Sequence, residues 1–443
     1  MDIISINYLL FVLGVLIVYQ SLPPKAKKFW ILLASLTFYG SISFTLFLTL
    51  IFSIFFNFWI TFSRLKYKTW IAVIINILIL FSFKFEDSSF LLPIGVSFFT
   101  FQGLSFVFDY SKKQKIQLID FANYMSFFPQ LIAGPIESFN HLGAQMNNLA
   151  PIQKKNVFSG MSLMLKGLVF KFVIANRCGL IVSSFYDEIT SYDGWFLLFA
   201  NLLFTFQILF DFSGYCFIAM GIAKILGISL SKNFTSPYRS TSLSDFWKKW
   251  HTTLHKWFKS YVFISIVSYY PFWVAAVIVF FLSSIWHGIE THFLIWGLIC
   301  LLFLFFDKYL IQKIKLPKLV KWIITFSMIY LSWIPFRVSK SEDITNILKL
   351  NFKLDNLIQF LADHTYVLKQ DFMNNLSSIC QYNNTSLNIT YFDFYILTVG
   401  ILMWCLFSKK INRLNPFYKS IFLFLVLGLL GYDNSTPFIY FQF

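Results

Sequence analysis

WFLLFANLLFTFQILFDFSGYCFIAMGI, residues 195–222, carries one charged side chain, Asp211, in its whole length. A helix needs roughly 20 apolar residues to cross the hydrocarbon of a bilayer, so this run is more than long enough. Comparable apolar runs fall near 5–20, 29–43, 44–62, 69–83, 91–108, 157–182, 262–285, 289–306, 319–336, 391–407 and 417–431. Backbone in hydrocarbon must satisfy its own hydrogen bonds, which favours helices. The expected fold is therefore an all-α, polytopic integral membrane protein with about 11–12 transmembrane helices, forming a single membrane domain over residues 1–443. Region 120–136 is apolar but short, and holds Pro129, Gly134 and Pro135. Broken backbone survives at membrane depth only where protein buries it or it lines a cavity, so this piece reads as re-entrant.

Composition closes the alternatives. Apolar residues make up 57% of the 443 and charged residues 13%, against roughly 45–50% and 25% in soluble domains. Disordered chains are poor in aromatics and rich in charge, the opposite of this one. Cys178, Cys216, Cys300 and Cys405 lie in apolar runs and Cys380 in a polar stretch, so no disulfide framework is indicated. The N-terminal MDIISINYLLFVLGVLIVYQ lacks a basic leader and a small-residue cleavage site, and reads as an uncleaved first span.

The charge is +16, from 36 Lys and Arg against 20 Asp and Glu. Its clusters are Lys25/Lys27/Lys28, Arg64/Lys66/Lys68, Lys112/Lys113/Lys115, Lys154/Lys155, Lys224/Lys232, Lys248/Lys249, Lys308/Lys313/Lys315 and Lys409/Lys410/Arg413. Threading the spans puts all of them on one face if the N-terminus is extracytoplasmic, as the positive-inside bias requires. The other face receives Glu86/Asp87, Asp187/Glu188/Asp193 and an extracytoplasmic loop at about 340–390. Cations spread over many short loops form no nucleic-acid footprint; the partner they imply is membrane lipid, with the basic face cytoplasmic.

Three polar islands could carry chemistry. SLSDFWKKWHTTLHKWFKSYVFI, residues 242–264, sorts on a helical wheel into an aromatic arc around Trp250 and an opposite arc of Lys248, Lys249, Lys256 and Lys259. It is expected as one amphipathic helix in the cytoplasmic interface, its tryptophans at headgroup depth, started by Ser242 with Asp245. His251 lies on the border of the arcs, where a side chain with a polar tip at an interface needs no further function. His255, one turn on, could share a metal with it, but no acidic or cysteine ligand completes a site, so no metal is expected. The second island, SSIWHGIETHFLIWGL at 283–298, sets His287 and Glu290 between two apolar runs. In the third, Asp211, Ser213 and Tyr215 interrupt a span; an intramembrane Asp needs a partner and marks a functional site by default.

Taken in order, FPQLIAGPIE (128–137), FDFSGY (210–215), NFTSPYRSTSLSDFWKKWHTTLHKWFKSYV (233–262) and IWHGIETHFLIWG (285–297) resemble the membrane-bound O-acyltransferase (MBOAT) family, in its bacterial AlgI/PatA-like branch. LPIGVSFFTFQGLSFVFDY at 92–110 and WIPFRVSKSEDITNIL at 333–348 extend the likeness to a core of about 90–350. The resemblance implies a helical ring around a central tunnel lined by the broken segments near 129–135 and 233–245. It implies that His287 matches the invariant histidine of the family's WHG motif and His251 the histidine of the FW-x-x-WH motif, both catalytic. The chain departs from the family after YVFI, where SIVSYYPFWV replaces a longer Pro-Leu-Gly-Gly-Asn stretch, and after WHG, which continues IETHF.

The activity so implied is O-acetylation of a cell-envelope polysaccharide, peptidoglycan first, alginate or another exopolysaccharide next, then D-alanyl transfer. The donor would be acetyl-CoA, with no permanently bound cofactor. Arg239, Lys248 and Lys249 would attract its phosphates beside Trp250, while Asp211, Ser213, Tyr215 and Trp286 support the tunnel. A PatB- or AlgJ-like periplasmic acetyltransferase would pass the acetyl group to the polysaccharide. The charge map sets His251 toward the cytoplasmic donor and His287 toward the outer acceptor, the run 262–285 climbing between them. A transporter without covalent chemistry is the alternative, since intramembrane Asp and His with broken helices also mark transport sites.

Overall fold

Ser5 and Ser43 each accept a hydrogen bond from the backbone N–H three residues on, which starts α1 (Ile6–Ser21) and α3 (Phe44–Phe62). Pro24 opens α2 (Pro24–Gly40), where a missing N–H costs nothing. The chain continues through α4 (Lys68–Ser82), α5 (Val96–Asp109), α6 (Leu118–Ser126), the single turn α7 (Ala144–Met146), α8 (Lys154–Val169), α9 (Asn176–Tyr186) and α10 (Gly194–Ile225). Next come α11 (Leu243–Lys249), α12 (Thr252–Trp257), α13 (Ile264–Val267), α14 (Phe272–His287), α15 (Thr291–Tyr309), α16 (Lys318–Arg337), α17 (Ser341–Leu348) and α18 (Pro416–Leu430). This computed structural model describes residues 3–83, 95–111, 115–187, 189, 194–338, 340–350, 411 and 413–431. Outside the described residues lie the expected span 391–407, most of the 340–390 loop, Cys380, Cys405, Glu86, Asp87, Lys112, Lys113, Glu188, Asp193, Lys409 and Lys410.

Among the described residues, five helical stretches are long and apolar enough to cross a membrane: Phe44–Phe62, Lys154–Ser183, Gly194–Ile225, Thr291–Lys313 and Lys318–Arg337. Four shorter apolar helices join them, and no strand occurs among the described residues. The protein is all-α and polytopic. Its packing is that of a chain dissolved in lipid. On α3 the outward side chains are Phe44, Phe52, Phe55 and Trp59, while Ser53, Asn57 and Thr61 are buried. Asn57 meets Asn76 of α4 through a pair of amide hydrogen bonds at 2.8 and 3.3 Å. Such pairs hold helices together where no hydrophobic force acts between them, at about 0.6 kcal/mol each.

The tightest crossing is α8 on α10. A Cβ at Gly160 would lie 2.5 Å from the Gly221 carbonyl oxygen, and one at Gly167 2.4 Å from that of Gly214. Two glycines seven residues apart on each antiparallel helix thus set the backbones in contact. Beside them α8 passes through a wide π-turn, Phe170–Ala175, which carries Lys171 inward.

One end of the bundle gathers the basic segments. Lys28 Nζ donates to Asp120 at 2.6 Å and Asn147 at 3.0 Å, and the Tyr19 hydroxyl to Ala150 O at 2.9 Å. Gln145 bonds Ser229 in both directions, the Thr235 N–H reaches Lys249 O at 3.1 Å, and Asp307 accepts from the Leu243 N–H at 2.9 Å. His287, Pro335 and α17 lie toward the opposite end, where His292 donates to the Pro335 carbonyl at 3.1 Å.

Two expectations about helices are corrected. The run 262–285 is not one helix: the π-turn Phe258–Phe263 and α13 end at a turn over 268–271, and α14 starts afresh after Pro271. Proline cannot donate to the ladder, so the helix restarts there. Nor is 242–264 one helix, as the site makes plain. The re-entrant segment is as the sequence suggests: α6 stops at Ser126, irregular backbone follows, and 120–137 is buried throughout.

Candidate active site

The Ser242 hydroxyl accepts from the Asp245 N–H at 3.1 Å and starts α11. Seven residues later the helix stops. His251 adopts φ 42° and ψ 54°, left-handed backbone that costs an ordinary side chain roughly 1–2 kcal/mol, and α12 begins at Thr252. The break turns Trp250 and His251 into the bundle, each less than 5% exposed. That corrects the expected interfacial helix: aromatic burial and hydrogen bonds from neighbouring segments outweigh helical continuity. The wheel failed because it assumes one axis. Trp250 packs on Trp333 at 5.0 Å between ring centres and on Phe246 at 5.6 Å. The His251 ring stands edge-on to Phe212 at 4.8 Å and Trp286 at 6.0 Å. Neither of its nitrogens meets a hydrogen-bond partner among the described residues.

His287 closes α14. It is buried within a cage of Trp286, Trp296 and Phe336, whose ring centres lie 4.5, 5.0 and 4.9 Å away. Gly288 permits the sharp exit, because a Cβ there would stand 2.3 Å from the Phe293 ring.

Both histidines line one cavity of about 260 Å³. Its wall is aromatic, with Trp247, Trp250, Phe280, Trp296 and Trp333. It follows α14 from Phe272 to His287, a rise of about 22 Å at 1.5 Å per residue. The Phe272 end is the basic one: Lys308 sits over the Phe272 ring at 3.0 Å, and Lys248, His255 and Lys259 line the cavity. The two histidines thus line the same space. His251 lies inside the bundle, against the neighbour of His287. Burial pushes the His251 pKa down to about 3; burial, then Lys259 and Lys248, brings His255 down to about 4. Both imidazoles are neutral at physiological pH.

The remaining sequence candidates fall elsewhere. Lys249 is paired with Asp245 at 2.6 Å, and Arg239 is exposed on the short turn Pro237–Arg239; neither lines the cavity. Asp211 has the partner its setting demands, Lys171 at 2.7 Å, both fully buried. Ser213 bonds back to the Leu209 carbonyl, and Tyr215 is buried near Lys171, 5.6 Å from its ring centre. These three stand at the α8–α10 contact rather than on the cavity wall. Trp286 lines a second, larger apolar cleft of about 760 Å³ between α4, α5 and α14. Sequence reasoning passed over Lys171, although a lysine inside the run 157–182 was visible. It also passed over Trp296 and Trp333, whose role depends on which helices meet.

Residues 29–334 match the membrane-bound O-acyltransferase family. The chain belongs to that family. It is 30% identical over 388 residues to a peptidoglycan O-acetyltransferase of Helicobacter pylori, covering 74% of either chain. It is 31% identical over 265 residues to the probable alginate O-acetylase AlgI of Pseudomonas aeruginosa, which spans 57% of this chain and 50% of that one. A teichoic acid D-alanyltransferase of Bacillus subtilis is 26% identical over 229 residues, 46% of this chain and 56% of its own. This MBOAT protein is thus an O-acyltransferase of the membrane, and His251 and His287 line one cavity within it.

Proposed function

We propose that the protein moves acetyl groups from cytoplasmic acetyl-CoA across a bacterial inner membrane for O-acetylation of peptidoglycan. The observation that carries this reading is the single cavity joining His251 and His287 to a basic mouth. A thioester donor carrying phosphates cannot cross hydrocarbon, whereas its acetyl end can enter a narrow aromatic passage. The exposed Lys248 and Lys259 would attract the phosphates, with Arg239 and Lys249 adding to the field around the mouth. Positive-inside bias makes the basic end cytoplasmic, and α1 then begins outside.

In the reaction, an acceptor hydroxyl attacks the thioester carbonyl. Its proton passes to His287, the new C–O bond forms, the C–S bond breaks, and the sulfur leaves as a thiol after taking a proton. His251, uncharged in its aromatic surroundings, supports the reacting carbonyl. A separate periplasmic transferase of the PatB or AlgJ kind would deliver the acetyl group to the polysaccharide. Peptidoglycan leads because the likeness to the Helicobacter pylori enzyme reaches over 74% of both chains. Two measurements test the reading. Purified protein should release CoA from labelled acetyl-CoA, and muropeptides of a deletion strain should lose O-acetyl mass. Unchanged muropeptides alongside loss of acetyl from an exopolysaccharide, or of D-alanine from teichoic acid, would redirect the polymer. Intact acetyl-CoA would remove the donor.

A further inference from the structure

The turn at His251 is gripped by a closed circuit of buried hydrogen bonds. The Ile136 N–H donates to the Thr253 hydroxyl at 3.0 Å, and that hydroxyl donates to Asn233 Oδ1 at 2.6 Å. The Thr253 N–H reaches the same oxygen at 3.3 Å, which fixes how the amide is turned. Asn233 Nδ2 donates to Cys216 Sγ at 3.4 Å, and Cys216 donates to the Ala133 carbonyl at 3.3 Å. The chain of donors so begins and ends on the re-entrant segment. Asn233, Thr253 and Cys216 are each at most 5% exposed. Backbone bonds reinforce the grip: the Thr252 N–H donates to Asn233 O at 2.9 Å and the Thr235 N–H to Lys249 O at 3.1 Å. Cys216 stands one helical turn beyond Phe212, the residue that backs the His251 ring.

We propose that Thr253 and Asn233 are positioning residues for His251. They hold a left-handed residue that would otherwise return to helix, and so fix its ring against Phe212 and Trp286 at the cavity wall. Neither lines that cavity, so they act through His251 alone; the inference rests on the catalytic reading of that histidine. Hydrogen-bonded neighbours of this kind couple strongly, and Thr253→Val, which keeps shape and loses both hydroxyl bonds, should lower kcat on the order of 10-fold with the KM for acetyl-CoA unchanged. Thr253→Ser should restore most of the rate.

The second readout needs no turnover. Diethyl pyrocarbonate should modify His251 slowly in the wild type, whose ring nitrogens are enclosed, and several-fold faster in Thr253→Val, scored by peptide mass. Unchanged kcat and unchanged modification would overturn the proposal, as would a rate loss that serine does not restore. Should Thr253→Val not accumulate in the membrane, Thr253→Ala carries the same two expectations. A His251→Ala protein with wild-type transfer would sink the catalytic reading itself. An inactive His251→Ala beside an unaffected Thr253→Val would sink only the positioning role.

Discussion

His287 and the two exposed lysines of the cavity mouth make different demands on the kinetics. A general base contributes about 10²–10⁴-fold, so His287→Ala should lower kcat by that range while the protein still accumulates and KM changes little. Transfer of label from acetyl-CoA in detergent micelles measures it, and a near-normal kcat would refute the assignment. In the proposed reaction Lys248 and Lys259 act at a distance on a charged donor. Their alanine variants should each raise the donor KM a few-fold, with the difference shrinking at high salt. His251 and His255 add a pH signature to stability. Their folded pKa values of about 3 and 4 lie below the ordinary 6.5, so the unfolded chain binds more protons between those values. Stability from these groups is fully present above pH 6.5 and is lost as pH falls through the folded values. The melting temperature should therefore drop on acidification below 6.5, and drop less in His251→Gln, as a dye-based melt in detergent can show.

At the scale of elements, what could be read in advance divides by how far the deciding contacts lie along the chain. The spans at 44–62 and 195–222 came through within a few residues, because lipid demands apolar length and the sequence displays it. The re-entrant piece was legible from Pro129, Gly134 and Pro135. The site helices were not. Nothing local in FWKKWHTTLHKW announces a break at Trp250, since the forces that make it come from Asn233, Ile136 and Trp333. Pro271 marks the restart of α14, and a reading by apolar length alone ran past it. The two histidines were singled out by motif and both line the cavity, yet the depth of His251 required the break. The α8–α10 crossing gives the element-scale prediction. With the Gly214 carbonyl oxygen 2.4 Å from any Cβ at Gly167, Gly167→Leu must push the helices apart and separate Lys171 from Asp211. Breaking a buried ion pair costs roughly 3–5 kcal/mol, so this variant should melt well below the wild type or fail to accumulate. Gly14→Leu, where nothing lies within 4 Å, should behave normally in the same assays.

For the whole molecule, the distribution of charge and the position of the cavity make one argument about direction. Lysine-bearing segments are strapped to one end by specific bonds such as Lys28–Asp120 and Gln145–Ser229, so inverting the protein would carry them across together. The cavity mouth shares that end, because Lys248 and Lys259 belong to the same face that holds Lys308 over Phe272. On the proposed reading donor side and positive side coincide, and one topology experiment tests both. Cys178, Cys216 and Cys300 are buried, which leaves Cys380 and Cys405 to be replaced before single cysteines are introduced. At the exposed positions Lys66 and Lys256 a cysteine should react with an impermeant maleimide only in inverted vesicles. At Glu290 and Glu342, exposed toward the far end, it should react only in right-side-out cells. If position 256 reacted from the periplasm, the basic mouth would face away from every cytosolic thioester. Acetyl-CoA could then no longer be the donor, even with both histidines in place.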